Sequence, residues 1–238
     1  MSVYDISFAG PRNRFTILTG RGPLLVHNCG YGMGAPKFRA TCAGYGQDLD
    51  EETCQTAVDT FRAVNDKIVA SWYSMEEAAF TAMENPGTGI PATVGKVSFY
   101  CTKDRTFLIC LLPSGRRLYY PWPRVQDVET PWGEMKPSIT YMGINSYTKK
   151  WERLKTYGGK ICENVVQAIA RDVLVVAMFR LEQAGYKVVL TVHDEIVAEV
   201  PDGFGSMAEF DRLMAENPSW APGFPIAVEG FEAVRYRK

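Results

Sequence analysis

Two short clusters in this chain combine residue types that do chemistry. The first, His27-Asn28-Cys29, closes an apolar run, Leu24-Leu25-Val26, that reads as a buried strand. Thiols act as nucleophiles and imidazoles move protons near neutral pH, so these are three reactive side chains in a row. The second, His193-Asp194-Glu195, separates two apolar strands expected over 187–192 and 196–200. Hairpin tips are usually polar because they are wet. Here the flanking strands are almost wholly apolar, which predicts a covered sheet with the three polar residues at its tip. The tip lacks the Asn-Gly or Asp-Gly that hairpin turns favour, and none of its residues prefers φ > 0. Adjacent acids at the edge of a core repel each other, and a bound divalent cation is the usual relief. The chain has two histidines, one in each cluster.

The elements that must position these clusters are read from periodicity. Residues 3–8, 14–18 and 24–26 read as short strands separated by Gly10-Pro11 and Gly20-Arg21-Gly22; the segment is too small for a core of its own. From 50 to 84, Val58, Phe61, Val64, Ile68, Trp72, Met75 and Ala79 recur at helical spacing until Asn85-Pro86-Gly87. A β-rich middle follows, with a hairpin of 107–112 and 118–120 around Pro113-Ser114-Gly115. A second long helix is expected over 163–183 with Gly185 beyond its end, and a short one over 206–216 opened by a Ser206-x-x-Glu209 capping box.

Bulk properties narrow the class. The 238 residues, 46% hydrophobic and 22% charged, suit a globular protein of one large or two small domains. No apolar run approaches the ~20 residues of a membrane span, and the start is not a signal peptide, so no membrane partner and a cytoplasmic location are expected. Six cysteines show no C-x-x-C pair and no histidine at ligand spacing, which argues for reduced thiols rather than zinc. A net charge of −1 does not advertise nucleic-acid binding. Between Lys136 and Lys160, however, six Lys or Arg accompany the single acid Glu152, with Tyr141, Tyr147, Trp151 and Tyr157 among them. Most such stretches are solvated faces; the interleaved rings also suit a surface that tracks phosphates and stacks bases.

Thr191-Val192-His193-Asp194-Glu195-Ile196 resembles motif C of the family A DNA polymerases, carried on a hairpin of the palm sheet. Cys29-Gly30-Tyr31-Gly32-Met33-Gly34 resembles the end of that family's motif B, and "ITYMGINSYTKKWERLKTYGGKICENVVQAIARD" and "FPIAVEGFEAVRYRK" are similar to phage-type members. The resemblance covers residues 29–238. It implies an α+β fold, a fragment of fingers and palm with an antiparallel palm sheet and long helices. It further implies two-metal phosphoryl transfer with Mg²⁺. Asp194 would be catalytic and a metal ligand, with Glu195 in a supporting role beside it. His193 would contact the primer strand, Gln167 the duplex minor groove, and Tyr31 the templating or nucleotide pocket. Primer–template DNA and dNTP are the implied partners. The family also needs a motif A aspartate and a fingers lysine, which this sequence does not show ahead of Cys29; by itself the chain is expected to be inactive as a polymerase.

Residues 1–28 differ in kind. "VYDISFAGPRNRFTILTGRGPLLVHN" followed by Cys29 resembles the C-terminal segment of an intein, a short all-β piece. The resemblance makes Cys29 the acyl acceptor in transesterification. Asn28 would cyclise to a succinimide and cut the chain before Cys29, with His27 assisting the proton transfer. Inteins commonly carry a histidine where this sequence has Asn13, which places more of that transfer on His27. With Met1 directly ahead, the segment reads as the C-half of a split intein. The expected organisation is therefore an intein segment, 1–28, and a polymerase fragment, 29–238. Trans-splicing would join it to an N-terminal polymerase half fused to an intein N-half, in a bacterial or phage-infected cell. Two competing readings are a subunit that associates with that half without splicing, and an unrelated metal-dependent hydrolase built on His193-Asp194-Glu195, which lacks a second ligand cluster.

Overall fold

The structure, a computed structural model, describes residues 15–19, 22–26, 31–129 and 133–234. Packing divides the chain into two units, Met1–Val166 and Gln167–Lys238. The expected boundary between residues 28 and 29 falls outside the described residues, as does the expected strand 3–8. The fold class is α+β, with five helices and antiparallel sheets among the described residues.

In the first unit, β1 (Phe15–Thr19) and β2 (Gly22–Val26) pair as an antiparallel hairpin, Phe15 opposite Val26. Helix α1 (Ala35–Gly44), which the sequence reading did not anticipate, starts at Gly34 with Pro in its first positions, where the missing N–H costs nothing. Periodicity predicted one helix over 50–84. The structure has two, α2 (Glu51–Val64) and α3 (Asp66–Glu84). Asp50 caps α2 by accepting the Thr53 N–H at 2.7 Å. At the break, the Asn65 side-chain amide donates to the Phe61 carbonyl at 2.9 Å. A short polar side chain that satisfies the backbone itself offers an alternative to the next helical bond. The apolar stripe continues through the break, which is why periodicity alone reads straight across it.

Four strands, β3 (Ala92–Val94), β4 (Val97–Cys101), β5 (Phe107–Leu111) and β6 (Arg117–Pro121), form an antiparallel meander in sequence order, and α3 packs against β3, β4 and β5. The expected hairpin is the β5–β6 pair. A second sheet holds β7 (Arg124–Glu129), β8 (Met135–Ile144) and β9 (Trp151–Lys155) in that order. The core is apolar: Phe99, Leu108, Cys110, Leu112 and Ile139 are almost fully buried, each worth roughly 1.5–3 kcal/mol for a large aliphatic or aromatic side chain. Tyr120 lies between the sheets, stacked edge-on against Tyr141 at 5.1 Å, and its hydroxyl accepts from Asn164 Nδ2 at 3.2 Å. Burial pushes its pKa well above the ordinary tyrosine value, so it stays neutral.

The long helix, α4 (Gly158–Gln183), begins five residues earlier than expected. Its two glycines explain this. A methyl group built on Gly158 would lie 2.1 Å from the Trp72 carbonyl oxygen, and one on Gly159 2.3 Å from the Tyr31 carbonyl oxygen. Glycine weakens a helix interior but here admits backbone against backbone. Gly185 follows the helix at φ +93° and its N–H bonds the Glu182 carbonyl, the C-terminal stop expected.

In the second unit, β10 (Lys187–Val192) and β11 (Glu195–Glu199) form a separate antiparallel hairpin, followed by α5 (Met207–Ala215). Ser206 Oγ accepts the Glu209 N–H at 3.2 Å, half of a capping box. The other half is replaced: Ser206 N–H donates to the Tyr186 hydroxyl at 3.1 Å, which donates to Glu209 Oε2 at 2.8 Å. Tyr186 also packs edge-on against Phe204 and Phe210, so one ring anchors α5 and the chain entering it.

The glycine contact yields a test. Gly159→Ala forces a shift of rigid backbone and should destabilise the chain by about 1–3 kcal/mol, a fall of roughly 2–10 °C in thermal midpoint. Gly44→Ala, with nothing within 4 Å of the added carbon, should leave the midpoint unchanged or slightly raised. Differential scanning calorimetry of the two variants distinguishes them, and equal midpoints would refute the close approach.

Candidate active site

The hairpin tip differs from its expected form. Val192 pairs directly with Glu195, so the loop is two residues, His193-Asp194, and Glu195 opens β11 instead of sharing the tip. A two-residue loop between right-handed twisted strands needs a positive φ, and His193 takes it, at φ +55°. Histidine is among the side chains that enter this region more often than most, but without glycine's freedom. His193 and Asp194 are exposed, while Glu195 is half-buried.

Register decides where the carboxylates face. Thr191 pairs with Ile196, and Val188 with Ala198, on one face; Glu195 shares the other with Val192, Leu190 and Val197. A bulge at Val189 between those pairs switches the alternation of β10 and keeps Leu190 with Val197. The first face is tied to α4, where Arg171 Nη1 donates to Thr191 Oγ1 at 3.5 Å. On the second, Leu190 is 40% exposed, and Val189 in the bulge is 44% exposed. The expected covered sheet is thus corrected: in this chain β10 and β11 form a two-stranded sheet with part of its apolar surface open. Nothing in strand periodicity indicates whether another element covers a face.

Gln167 is exposed on α4, one turn before Arg171 and on the same side of the helix. The structure therefore groups His193, Asp194, Glu195, Gln167 and Arg171 in the second unit. Arg171 was not singled out from the sequence; its spacing of four from Gln167 is the signal that points to it. Tyr31 belongs to the first unit, in a single helical turn, half-buried, with its carbonyl against Gly159. Gly32 follows at φ +82°, packed under the Tyr157 ring. His27, Asn28 and Cys29 lie outside the described residues.

Among the described residues, no group of three or more His, Cys, Asp or Glu is placed to hold a metal ion. Asp194 and Glu195 offer hard oxygen donors of the type magnesium prefers, but they make only part of a coordination set. The thiols do not supplement it. Cys42, Cys54, Cys101, Cys110 and Cys162 are buried thiols. Burial raises the pKa of Cys110 to about 12 and shifts Cys42, Cys54 and Cys101 upward, so these stay protonated and inert.

The turn geometry makes a ranked prediction. His193→Gly should fold with a thermal midpoint equal to or above that of the parent chain, because glycine relieves the positive φ. His193→Val should lower it by several degrees, since a branched side chain resists this region by a further ~1–2 kcal/mol. Were residue 193 extended, valine would be neutral or stabilising, and thermal melts of the three chains decide between these outcomes.

The chain is similar to the DNA polymerase of Bacillus phage SP02, 40% identical over 190 residues. The aligned stretch is 80% of this chain but 28% of that polymerase, so the chain spans less than a third of the relative's length. No family model and no solved structure matches it. The similarity supports reading the chain as a fragment of a DNA polymerase.

Proposed function

We propose that this chain carries the C-terminal part of a family A DNA polymerase and is joined to the remainder of that enzyme by protein splicing. The observation that carries the polymerase reading is the exposed His193-Asp194 tip on an apolar hairpin, in a chain 40% identical to a phage DNA polymerase over most of its length. In this reading Asp194 is the metal-binding aspartate, and Glu195, facing the same side as the open apolar surface, supports it. His193 meets the primer strand, Gln167 the minor groove, and Tyr31 the nucleotide pocket. The outer edges of the two-stranded β10–β11 sheet suit a strand from the upstream half, which would bring the second aspartate. When bound, two magnesium ions would neutralise charge on the transferring phosphate and align the attacking oxygen with the leaving pyrophosphate. The protein's own share is positioning: a two-residue turn leaves the Asp194 carboxylate little freedom, and Arg171 ties the hairpin to α4 through Thr191.

Residues 1–28 supply the splicing chemistry in this proposal. The β1–β2 hairpin ends at Val26, immediately before His27-Asn28-Cys29. Cys29 accepts the upstream acyl group, Asn28 cyclises and releases residues 1–28, and an acyl shift leaves an amide before Cys29. The joined enzyme then works on primer–template DNA and dNTP.

Each half of the proposal has its own test. In the joined product, Asp194→Asn should cut nucleotide incorporation by about a hundredfold or more, since a lost metal ligand forfeits several kcal/mol of charge stabilisation. Primer–template affinity, measured by fluorescence anisotropy, should stay within about threefold, and near-normal turnover would refute the assignment. For the junction, the chain is mixed with an upstream half carrying the complementary intein segment, and products are read by mass spectrometry. The parent chain should give one ligated product beginning its downstream part at Cys29. Cys29→Ala should abolish ligation, and Asn28→Ala should stall at a hydroxylamine-sensitive thioester. His27→Ala should slow release of residues 1–28 by about 10²–10⁴-fold. Two halves that copurify without a ligated band would establish association without splicing.

A further inference from the structure

The second sheet of the first unit has two unlike faces. On the inner face Ile139 is buried, Tyr141 stacks on Tyr120, and Leu154 pairs with Tyr141. The register puts Arg124, Thr140 and Lys155 in one row across the outer face, with Met142 opposite Arg153 and Ile144 opposite Trp151. Thr140 is buried at the foot of this face by Arg153 and Gln126. The acidic strand residues Asp127, Glu129 and Glu152 fall at the alternate positions. The outer positions of β9 and the neighbouring half of β8 therefore carry cations and apolar groups without a carboxylate. Among the described residues, none of Arg124, Lys149, Lys150, Arg153 and Lys155 is in an ion pair.

The rings on this face are held in place. Trp122 and Trp151 stack edge-on at 6.5 Å, yet each is more than half exposed. Trp122 sits at φ +44°, where a large side chain is strained, fixed by its N–H to the Thr106 carbonyl at 2.7 Å and by Arg153 Nη1 to its own carbonyl at 3.1 Å. The turn between β8 and β9 is equally built. Asn145 Oδ1 accepts the Tyr147 N–H at 2.8 Å and the Thr148 N–H at 3.2 Å, and Lys149 takes φ +57°. That turn presents Tyr147 at 89% exposure beside Lys149 and Lys150.

We infer that this face binds single-stranded DNA, with Trp151, Trp122 and Tyr147 as stacking surfaces and Lys149, Lys150, Lys155 and Arg124 as phosphate contacts. The paired tryptophans lose little freedom on stacking, and the cations outnumber the one nearby acid, Glu152, whose carboxylate is engaged in the turn by Asn145 Nδ2 and Thr148 Oγ1; such a surface favours a polyanion over an apolar protein partner. The inference stands on this sheet alone and needs neither splicing nor polymerisation. The test uses the full 238-residue chain and a fluorescein-labelled twenty-residue dT oligonucleotide, with anisotropy read from 20 to 200 mM salt. Binding should weaken steeply with salt. Trp151→Ala and Tyr147→Ala should each raise Kd by about 5- to 100-fold, while Trp151→Phe keeps most of the affinity. Lys149→Ala with Lys150→Ala should flatten the log–log salt slope by about 1.4. Tyr147 is nearly fully exposed, so its loss does not threaten folding. Absence of binding at 20 mM salt, insensitivity to both ring deletions, or stronger binding of a blunt duplex would overturn the inference. So would ring deletions that weaken association with an upstream polymerase half while leaving oligonucleotide affinity unchanged.

Discussion

Backbone pressed on backbone at Gly158 and Gly159 is the constraint on which the first unit depends. Three segments distant in sequence meet there: the Tyr31-Gly32 turn, the middle of α3 at Trp72, and the first turn of α4. Any side chain at either glycine would need space already filled by a carbonyl group. The contact also explains why α4 begins with two poor helix formers. What the helix loses in local propensity, it recovers by packing Ile161, Cys162 and Val165 into the core at once. Tyr31, the residue expected to meet the nucleotide, is held through its main chain in this arrangement.

A second constraint governs the hairpin at His193. Two apolar strands joined by two residues leave no slack, so one loop residue must accept a positive φ. Glycine would take it at no steric cost, but histidine stands there. Local rules broken at a polar, exposed tip are where function is expected to outweigh stability. The half-open apolar surface of β10 and β11 belongs to the same pattern. In the proposed function, the upstream half would cover it.

The cysteines show how burial makes a thiol inert. Cys42, Cys54, Cys101 and Cys110 are held protonated by desolvation, Cys110 most of all. Cys29 stands apart by its neighbours in sequence, directly after His27 and Asn28.

Much of this was legible in the chain. Alternation and turn residues located β5 and β6, the Ser206 cap located α5, and Gly185 marked the end of α4. The apolar runs on either side of His193-Asp194 located the β10–β11 hairpin, because alternation beside polar residues is a local fact; His27, Asn28 and Cys29 lie outside the described residues. Three other features required tertiary structure. The break at Asn65 arises from a side-chain bond to Phe61 that no period records. The early start of α4 and the strained Trp122 exist because distant groups fix them there: the main chain at Tyr31, Trp72 and Thr106, and the Arg153 guanidinium. The bulge at Val189 inverts the alternation of β10, so that Val188 and Leu190 fall on opposite faces although their spacing of two assigns them to one. Local pattern determines what an element is; which of its sides is buried, strained or left open depends on contacts with residues far away in the chain.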